Sequence, residues 1–160
     1  MSPSKKLWAP WRMDYILSGK PEGCIFCPDP KVEPKDALIV FDTELTLVML
    51  NKFPYTSGHL MVAPKRHTSR LDELSEAESN DLFSLIKRSV RVLKEECAPE
   101  GFNIGMNLGK SAGAGVEEHI HMHIVGRWHG DTNFMPVTAD THVVPEHLST
   151  TYDKLRARFS

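Results

Sequence analysis

The stretch from residue 116 to residue 128, VEEHIHMHIVGRW, decides the fold. Its histidines alternate with apolar residues, and a β-strand turns alternate side chains to opposite faces. The spacing predicts a strand with the histidines on one face and the apolar residues toward the core: His119, His121 and His123 against Ile120, Met122 and Ile124. Three charged imidazoles roughly 6.6 Å apart would repel one another, so we expect mostly neutral rings, which can act as nucleophiles or metal ligands.

Composition places the chain among ordinary globular proteins. Its 160 residues suffice for one domain with a sizeable core, and 41% hydrophobic with 25% charged residues are typical values. The net charge of -2 gives no support for nucleic acid as a partner. No apolar run is long enough to span a membrane and the first residues lack a signal-peptide core, so we expect a cytoplasmic protein with no membrane partner.

The three cysteines are Cys24, Cys27 and Cys97, an odd number that argues against a disulfide framework. Cys24 and Cys27 are separated by two residues and can present both thiolates to one zinc ion. A redox motif would need a helix after the first cysteine, and the prolines that follow Cys27 disfavour one. Cys97 is most simply a small buried residue of a helix.

The remaining segments predict a mixture of strands and helices. A long amphipathic helix begins at a capping box of Ser75 and Glu78 and stops near Pro99, and a short helix ends the chain at about residues 146–159. Besides the histidine stretch, four segments have the composition of strands: 37–41, 46–50, 59–63 and 102–107.

This order of elements predicts an α+β fold with an antiparallel sheet of about five strands. One long helix and a C-terminal helix should pack on the sheet. We expect one domain over residues 1–160, with an N-terminal arm at 1–23 and a C-terminal tail at 129–160.

The pattern from His119 to Val125 resembles the signature of the histidine triad (HIT) superfamily of nucleotide hydrolases and transferases. Residues 51–67, NKFPYTSGHLMVAPKRH, resemble a second segment of that family. Residues 8–12, WAPWR, and 130–134, GDTNF, further resemble a bacterial branch that includes diadenosine tetraphosphate phosphorylases. The resemblance implies a HIT-like fold and an enzyme that acts on nucleotides such as dinucleoside polyphosphates.

In the family the middle histidine is the nucleophile, which corresponds to His121 here. The resemblance implies that it attacks the α-phosphorus and forms a nucleotidyl-histidine, which water or phosphate then resolves. His123 would donate a hydrogen bond at the phosphate, and His59 would support the triad. We also expect the second ring nitrogen of His121 to bond to a backbone carbonyl, which fixes the tautomer.

The resemblance also implies residues that bind the substrate. Asn51 would hold the ribose and Asn107 the phosphate, while Ile25 and Phe26 either cover the base or belong to the core. Gly115 and Val116 end a glycine-rich loop whose backbone N–H groups can approach a phosphate. Many family members carry Gly-Gln-Ser or Gly-Gln-Thr at this place, so the present loop offers backbone donors without those side chains.

Some branches of the family bind zinc through residues that correspond to Cys24, Cys27, His67 and His119. Two thiolates and two imidazoles form a closed tetrahedral set, the structural type of zinc site. Zinc would then fix the backbone next to His121. Free cysteines beside unrelated histidines remain the alternative, because a Cys-x-x-Cys motif alone is a loose signal.

Two other functions stay open at this point. The chain could be a nucleotide-binding or signalling module with vestigial activity, or a metalloenzyme whose histidine triad itself holds a catalytic ion. The resemblance implies a homodimer that extends the sheet across two subunits. The sequence does not distinguish water from phosphate as the acceptor, nor adenine from guanine.

Overall fold

A computed structural model describes residues 23–131 and 146–159. In these ranges the chain forms five strands and two α-helices. In chain order they are β1 (Ile39–Asp42), β2 (Thr46–Leu50), β3 (Leu60–Pro64), α1 (Glu76–Cys97), β4 (Gly101–Met106), β5 (Met122–Arg127) and α2 (Leu148–Phe159). The predicted motif WAPWR, most of the arm, and positions 132–134 of GDTNF lie outside the described residues.

The strands form one sheet in the order β1-β2-β3-β5-β4, and each neighbouring pair is antiparallel. The predicted α+β fold with an antiparallel sheet is therefore confirmed. Strand β5 lies between β3 and β4, and Met61 of β3 pairs with His123 of β5. This pairing places His59, which directly precedes β3, beside His123 of β5.

Both faces of the central sheet are covered. Alternate residues of β2 and β3 belong to two separate apolar clusters, as the period of a strand requires. On one face α1 and α2 pack on the sheet, and on the other the ring of Phe26 packs against side chains of β2 and β3. The second cluster consists of Phe26, Leu47, Met49, Met61 and Ala63.

Helix α1 begins as its sequence predicts. The Ser75 side chain accepts a hydrogen bond from the Glu78 N–H, and the Glu78 carboxylate accepts one from the Ser75 N–H. The helix ends at Cys97, and Ala98 takes a left-handed conformation with φ 45° before Pro99. No helix in residues 23–131 or 146–159 has the length and apolar character that crossing a membrane requires.

The strand prediction was wrong at the start of the histidine stretch. Strand β5 begins at Met122, so His119, which lies in a bend, and His121 precede it and are not part of the sheet. The physical reason is a pair of contacts with residues distant in sequence, because the Ile120 N–H donates to the Thr68 carbonyl and the His119 ring bonds to the Pro64 carbonyl. The polar groups of this segment are thus satisfied by the loop after β3. The other strand bounds differ from the predicted ones by at most two residues.

Candidate active site and metal centre

The structure brings the predicted histidines together in two adjacent groups. One group consists of His59, His121 and His123, in which the His123 ring contacts both of the other two rings. The other consists of Cys24, Cys27, His67 and His119. Because His119 and His121 are two residues apart, the two groups share one short segment of backbone.

His59 and His123 form a hydrogen-bonded pair with defined tautomers. The Tyr55 N–H donates to His59 Nδ1 at 3.2 Å, so a neutral His59 ring carries its proton on Nε2. His59 Nε2 lies 2.9 Å from His123 Nδ1 and donates to it. The proton of a neutral His123 therefore resides on Nε2, which makes His123 a hydrogen-bond donor on the side away from His59.

His121 has the opposite arrangement. Its Nδ1 lies 2.9 Å from the His119 carbonyl oxygen, and a carbonyl can only accept, so Nδ1 carries the proton. This contact is the backbone hydrogen bond that the sequence analysis expects. Nε2 of the neutral ring therefore carries no proton. Its lone pair is available, so His121 is chemically suited to act as a nucleophile.

Burial keeps the three rings neutral. The pKa of His59 is lowered to about 3 by burial and then by the adjacent His123 and His121. The pKa of His123 is lowered to about 4 by burial and by His121. Burial also lowers the pKa of His121, against the opposing effect of its bond to the His119 carbonyl. All three imidazoles are therefore uncharged at neutral pH, as the spacing predicts.

The second group has the geometry of a metal centre. Ligand atoms of Cys24, Cys27, His67 and His119 all lie within 4.8 Å of one another. His119 Nδ1 is 3.3 Å from Cys24 Sγ and 3.5 Å from Cys27 Sγ, and His67 Nδ1 is 3.3 Å from Cys27 Sγ. A tetrahedral ion with bonds of about 2.0–2.3 Å separates its ligands by roughly 3.6 Å, so these residues fit one.

The surroundings of this group also suit a metal ion. His119 Nε2 lies 2.8 Å from the Pro64 carbonyl, which directs Nδ1 to the thiols, the usual arrangement of a metal-binding histidine. Desolvation and the adjacent Cys24 raise the pKa of Cys27 to about 11, so the Cys27 thiol resists ionising without a cation. Within residues 23–131 and 146–159 this is the one group of three or more His, Cys, Asp or Glu side chains whose ligand atoms are placed to share a metal ion, and His121 and His123 are not in it.

Phe26 connects the two groups. It lies between the two cysteines in sequence, and its ring stacks on His121 with centroids 4.6 Å apart and planes at 27°. The same ring is 5.2 Å from the His119 ring. Phe26 is only 1% exposed and belongs to the core, whereas Ile25 beside it is 38% exposed. Of the two residues predicted to cover the base, only Ile25 is accessible in this conformation.

The two asparagines predicted to bind the substrate lie at different parts of the site, Asn51 beside His59 and Asn107 beside the glycine-rich loop. Asn51 Nδ2 is 3.3 Å from His59 Nδ1, and its Oδ1 accepts the Phe53 N–H, so this side chain shapes the loop before β3. Asn107 Nδ2 donates to the Gly113 carbonyl at 3.4 Å and thus holds the glycine-rich loop.

The glycine-rich loop leads directly to the histidine segment. Gly113 has a φ of 84°, which favours glycine, and it ends the short 3-10 turn Lys110–Ala112. Gly115 is exposed, while Val116 packs against the cluster that contains Phe26. Val116 is therefore anchored in the core at the point where the loop approaches His119.

One residue at the site is not predicted from the sequence. The Tyr55 ring lies 4.7 Å from the His59 ring and 6.1 Å from the His123 ring, yet Tyr55 is 59% exposed. An isolated aromatic residue in a polar loop carries no periodic signal. Its position four residues before His59 is the feature of the sequence that could have indicated it.

A family model described as the HIT domain matches residues 33–130, more than half of the chain. The chain belongs to the HIT family. An AP-4-A phosphorylase of Mycobacterium tuberculosis is 37% identical to it over 156 residues, which cover 92% of this chain and 80% of that protein. A bis(5'-adenosyl)-triphosphatase of Dictyostelium discoideum is 37% identical over 89 residues, 56% of this chain and 59% of that protein.

Solved structures of HIT proteins share the fold. A zinc-bound histidine triad family protein from Mycobacterium smegmatis superimposes with a TM-score of 0.62 and 29% identity, over 76% of this chain and 83% of that chain. The HIT-like fold predicted from the sequence is therefore confirmed.

The neutral His59 ring of this HIT protein makes stability depend on pH. Its pKa is about 3 when folded and about 6.5 when unfolded, so between these values the unfolded chain binds more protons and acid destabilises the fold. From pH 7 to pH 5 we expect His59 to account for a loss of about 2 kcal/mol in the free energy of unfolding.

Urea denaturation at pH 7 and pH 5 measures this effect. The variant His59→Gln should be less stable than the wild type at pH 7 but lose less stability between the two pH values. His129→Gln serves as the control at an exposed histidine. Equal losses for the wild type and His59→Gln would contradict a buried neutral ring.

Proposed function

We propose that this HIT protein cleaves dinucleoside polyphosphates at an α-phosphate through a nucleotidyl-His121 intermediate. The hydrogen bond of His121 Nδ1 to the His119 carbonyl carries the proposal. It leaves the Nε2 lone pair for attack, in a ring that burial keeps neutral. The names of the Mycobacterium tuberculosis and Dictyostelium relatives support the substrate class.

In the first step His121 Nε2 attacks the α-phosphorus. A P–N bond forms, the P–O bond to the bridging oxygen breaks, and the electron pair leaves with the remaining polyphosphate. The proton on Nδ1 stays in place, so attack requires no base. The positive charge that develops on the ring is stabilised by the His119 carbonyl, which already accepts from Nδ1.

Negative charge on the phosphoryl oxygens is met by donors already in place. His123 presents its Nε2 proton because His59 donates to its Nδ1. Backbone N–H groups of the glycine-rich loop, at Gly115 and Val116, supply further donors. We propose that Asn107, which holds this loop, and Asn51, which borders His59, contact the phosphate and the ribose respectively.

In the second step an acceptor oxygen attacks the nucleotidyl-histidine. A new P–O bond forms, the P–N bond breaks, and the electron pair returns to His121 Nε2. We propose inorganic phosphate as this acceptor, because the relative that aligns with 92% of this chain is named a phosphorylase. An ionised phosphate oxygen needs no base to attack, whereas water must lose a proton.

We further propose that the ion held by Cys24, Cys27, His67 and His119 is structural zinc. The donor set and its spacing fit zinc, and the Mycobacterium smegmatis relative is zinc-bound. Zinc would fix Phe26 and the His119 backbone, both of which contact His121. A pair of thiols that bind metal also supports a cytoplasmic location, which cell fractionation tests.

We also propose a homodimer formed along β4. Among the strands of residues 23–131 it pairs with β5 alone, so it is the edge strand of the described sheet, and an edge strand can pair with a further strand. Its central residues Asn103, Ile104 and Gly105 are exposed, and Ile104 is 43% exposed although it is apolar. A second copy that pairs at this edge would continue the sheet.

The nucleophile is tested with diadenosine tetraphosphate labelled at the α-phosphate. We expect label on the rapidly quenched wild type and on a His129→Ala control, and none on His121→Ala. Turnover of His121→Ala should fall about a thousand-fold or more. With added phosphate, mass analysis should give ADP and ATP. Products that do not depend on phosphate would indicate water as the acceptor, and binding without turnover or label would indicate a binding module.

Metal content distinguishes the structural ion from a catalytic one. We expect one zinc per chain in the wild type. Cys97→Ser and His121→Ala should bind the same amount, because neither substitution removes a proposed zinc ligand. The double variant Cys24→Ser, Cys27→Ser should lose zinc and melt at a lower temperature. Loss of metal in His121→Ala or His123→Ala would instead place the ion on the histidine triad.

Light scattering tests the homodimer. A glutamate at position 104 would place like charges close together at a paired β4 edge, so Ile104→Glu should convert the dimer to monomer. Val32→Glu is the matched control, because Val32 is also apolar and 43% exposed but lies outside the sheet. The same mass for both variants and for the wild type would rule out an interface centred on Ile104.

A further inference from the structure

Five aromatic rings form a continuous row through the active site. Phe26 stacks on His121 at 4.6 Å, His121 meets His123 at 4.8 Å, and His123 meets His59 at 5.1 Å between ring centroids. Tyr55 completes the row at 4.7 Å from His59, with the two planes at 31°. The row has a direction, because the nucleophile lies near the Phe26 end and the phosphate donor lies toward Tyr55.

The two ends of the row differ in exposure. Phe26 is 1% exposed and packs in the core, whereas Tyr55 is 59% exposed. One side of the Tyr55 ring is covered by His59, and most of its surface remains available to solvent. Core packing therefore explains Phe26 but not Tyr55. A large aromatic ring left open beside a nucleotide site is suited to stack on another planar ring.

The backbone holds Tyr55 in a defined position. Its N–H donates to His59 Nδ1, and the hydroxyl of the next residue, Thr56, donates to the Gly126 carbonyl at 3.0 Å. Gly58 ends this loop with a φ of 74° and packs closely against α1. The ring is thus presented by a loop tied to both β3 and β5, which reduces the entropy lost when a ligand stacks on it.

We propose that Tyr55 is the platform for the base of the departing nucleoside. This inference rests on the proposed function, in which the substrate carries two nucleosides. One nucleoside stays bonded to His121, at the Phe26 end of the row, where the residue next to Phe26 in sequence, Ile25, is 38% exposed. The other leaves with the polyphosphate, past His123, toward the exposed end of the row. Tyr55 would therefore determine the preference for substrates with a second nucleoside.

The test compares two ligands that differ only in that nucleoside, diadenosine tetraphosphate and adenosine 5'-tetraphosphate. We expect Tyr55→Ala to raise the KM for diadenosine tetraphosphate about 5- to 50-fold, the usual effect of losing one stacked base. The inhibition constant of adenosine 5'-tetraphosphate should stay within about twofold of the wild-type value, because that ligand has no second base. Tyr55→Phe should restore most of the affinity for diadenosine tetraphosphate.

Three results would overturn the proposal. Equal weakening of both ligands in Tyr55→Ala would mean that Tyr55 acts only by supporting His59. A Tyr55→Phe variant as poor as Tyr55→Ala would mean that the ring is not the platform, and unchanged constants in Tyr55→Ala would mean that nothing stacks there. Failure of the proposed function is distinguishable, because the wild type would then cleave no dinucleoside polyphosphate.

Discussion

The site depends on the three contacts of one residue, His119. Its Nδ1 faces the two thiols, its Nε2 bonds to the Pro64 carbonyl, and its own carbonyl accepts from His121 Nδ1. The ring therefore fixes the backbone that sets the tautomer of the neighbouring histidine. Because these groups are buried, a misdirected partner would leave a polar atom unsatisfied, which costs about 1–3 kcal/mol. The arrangement thus has one low-energy form.

Neutral rings in a buried setting explain how histidines so close together coexist. Burial lowers the pKa of the three imidazoles of His59, His121 and His123, and the hydrogen bonds then assign one proton to each of these rings. The assignments are complementary, since His121 keeps a free lone pair while His123 keeps a proton to donate. Two residues of the same type, His121 and His123, therefore serve as nucleophile and as hydrogen-bond donor, because the ring of each bonds to a different partner.

The sequence predicted the fold well because its signals are periodic or local. The capping box of Ser75 and Glu78 and the buried face of α1 follow from spacing, and the antiparallel sheet follows from the order of the elements along the chain. Strand β5 was predicted too long, because the bonds of His119 and Ile120 to the loop after β3 depend on residues distant in sequence. The tautomer of His123 likewise depends on a residue distant in sequence, His59, and the spacing of the histidines does not encode that contact.

An ion bound at the candidate metal centre would also constrain the order in which the folded protein is completed. Cys24 and His119 are 95 residues apart along the chain, yet their ligand atoms meet at 3.3 Å. On the ribosome the cysteines emerge long before the last ligand has been translated. An ion held by all four side chains can therefore be captured only after β3 and α1 have been synthesised, so full coordination is a late event in the biogenesis of the protein.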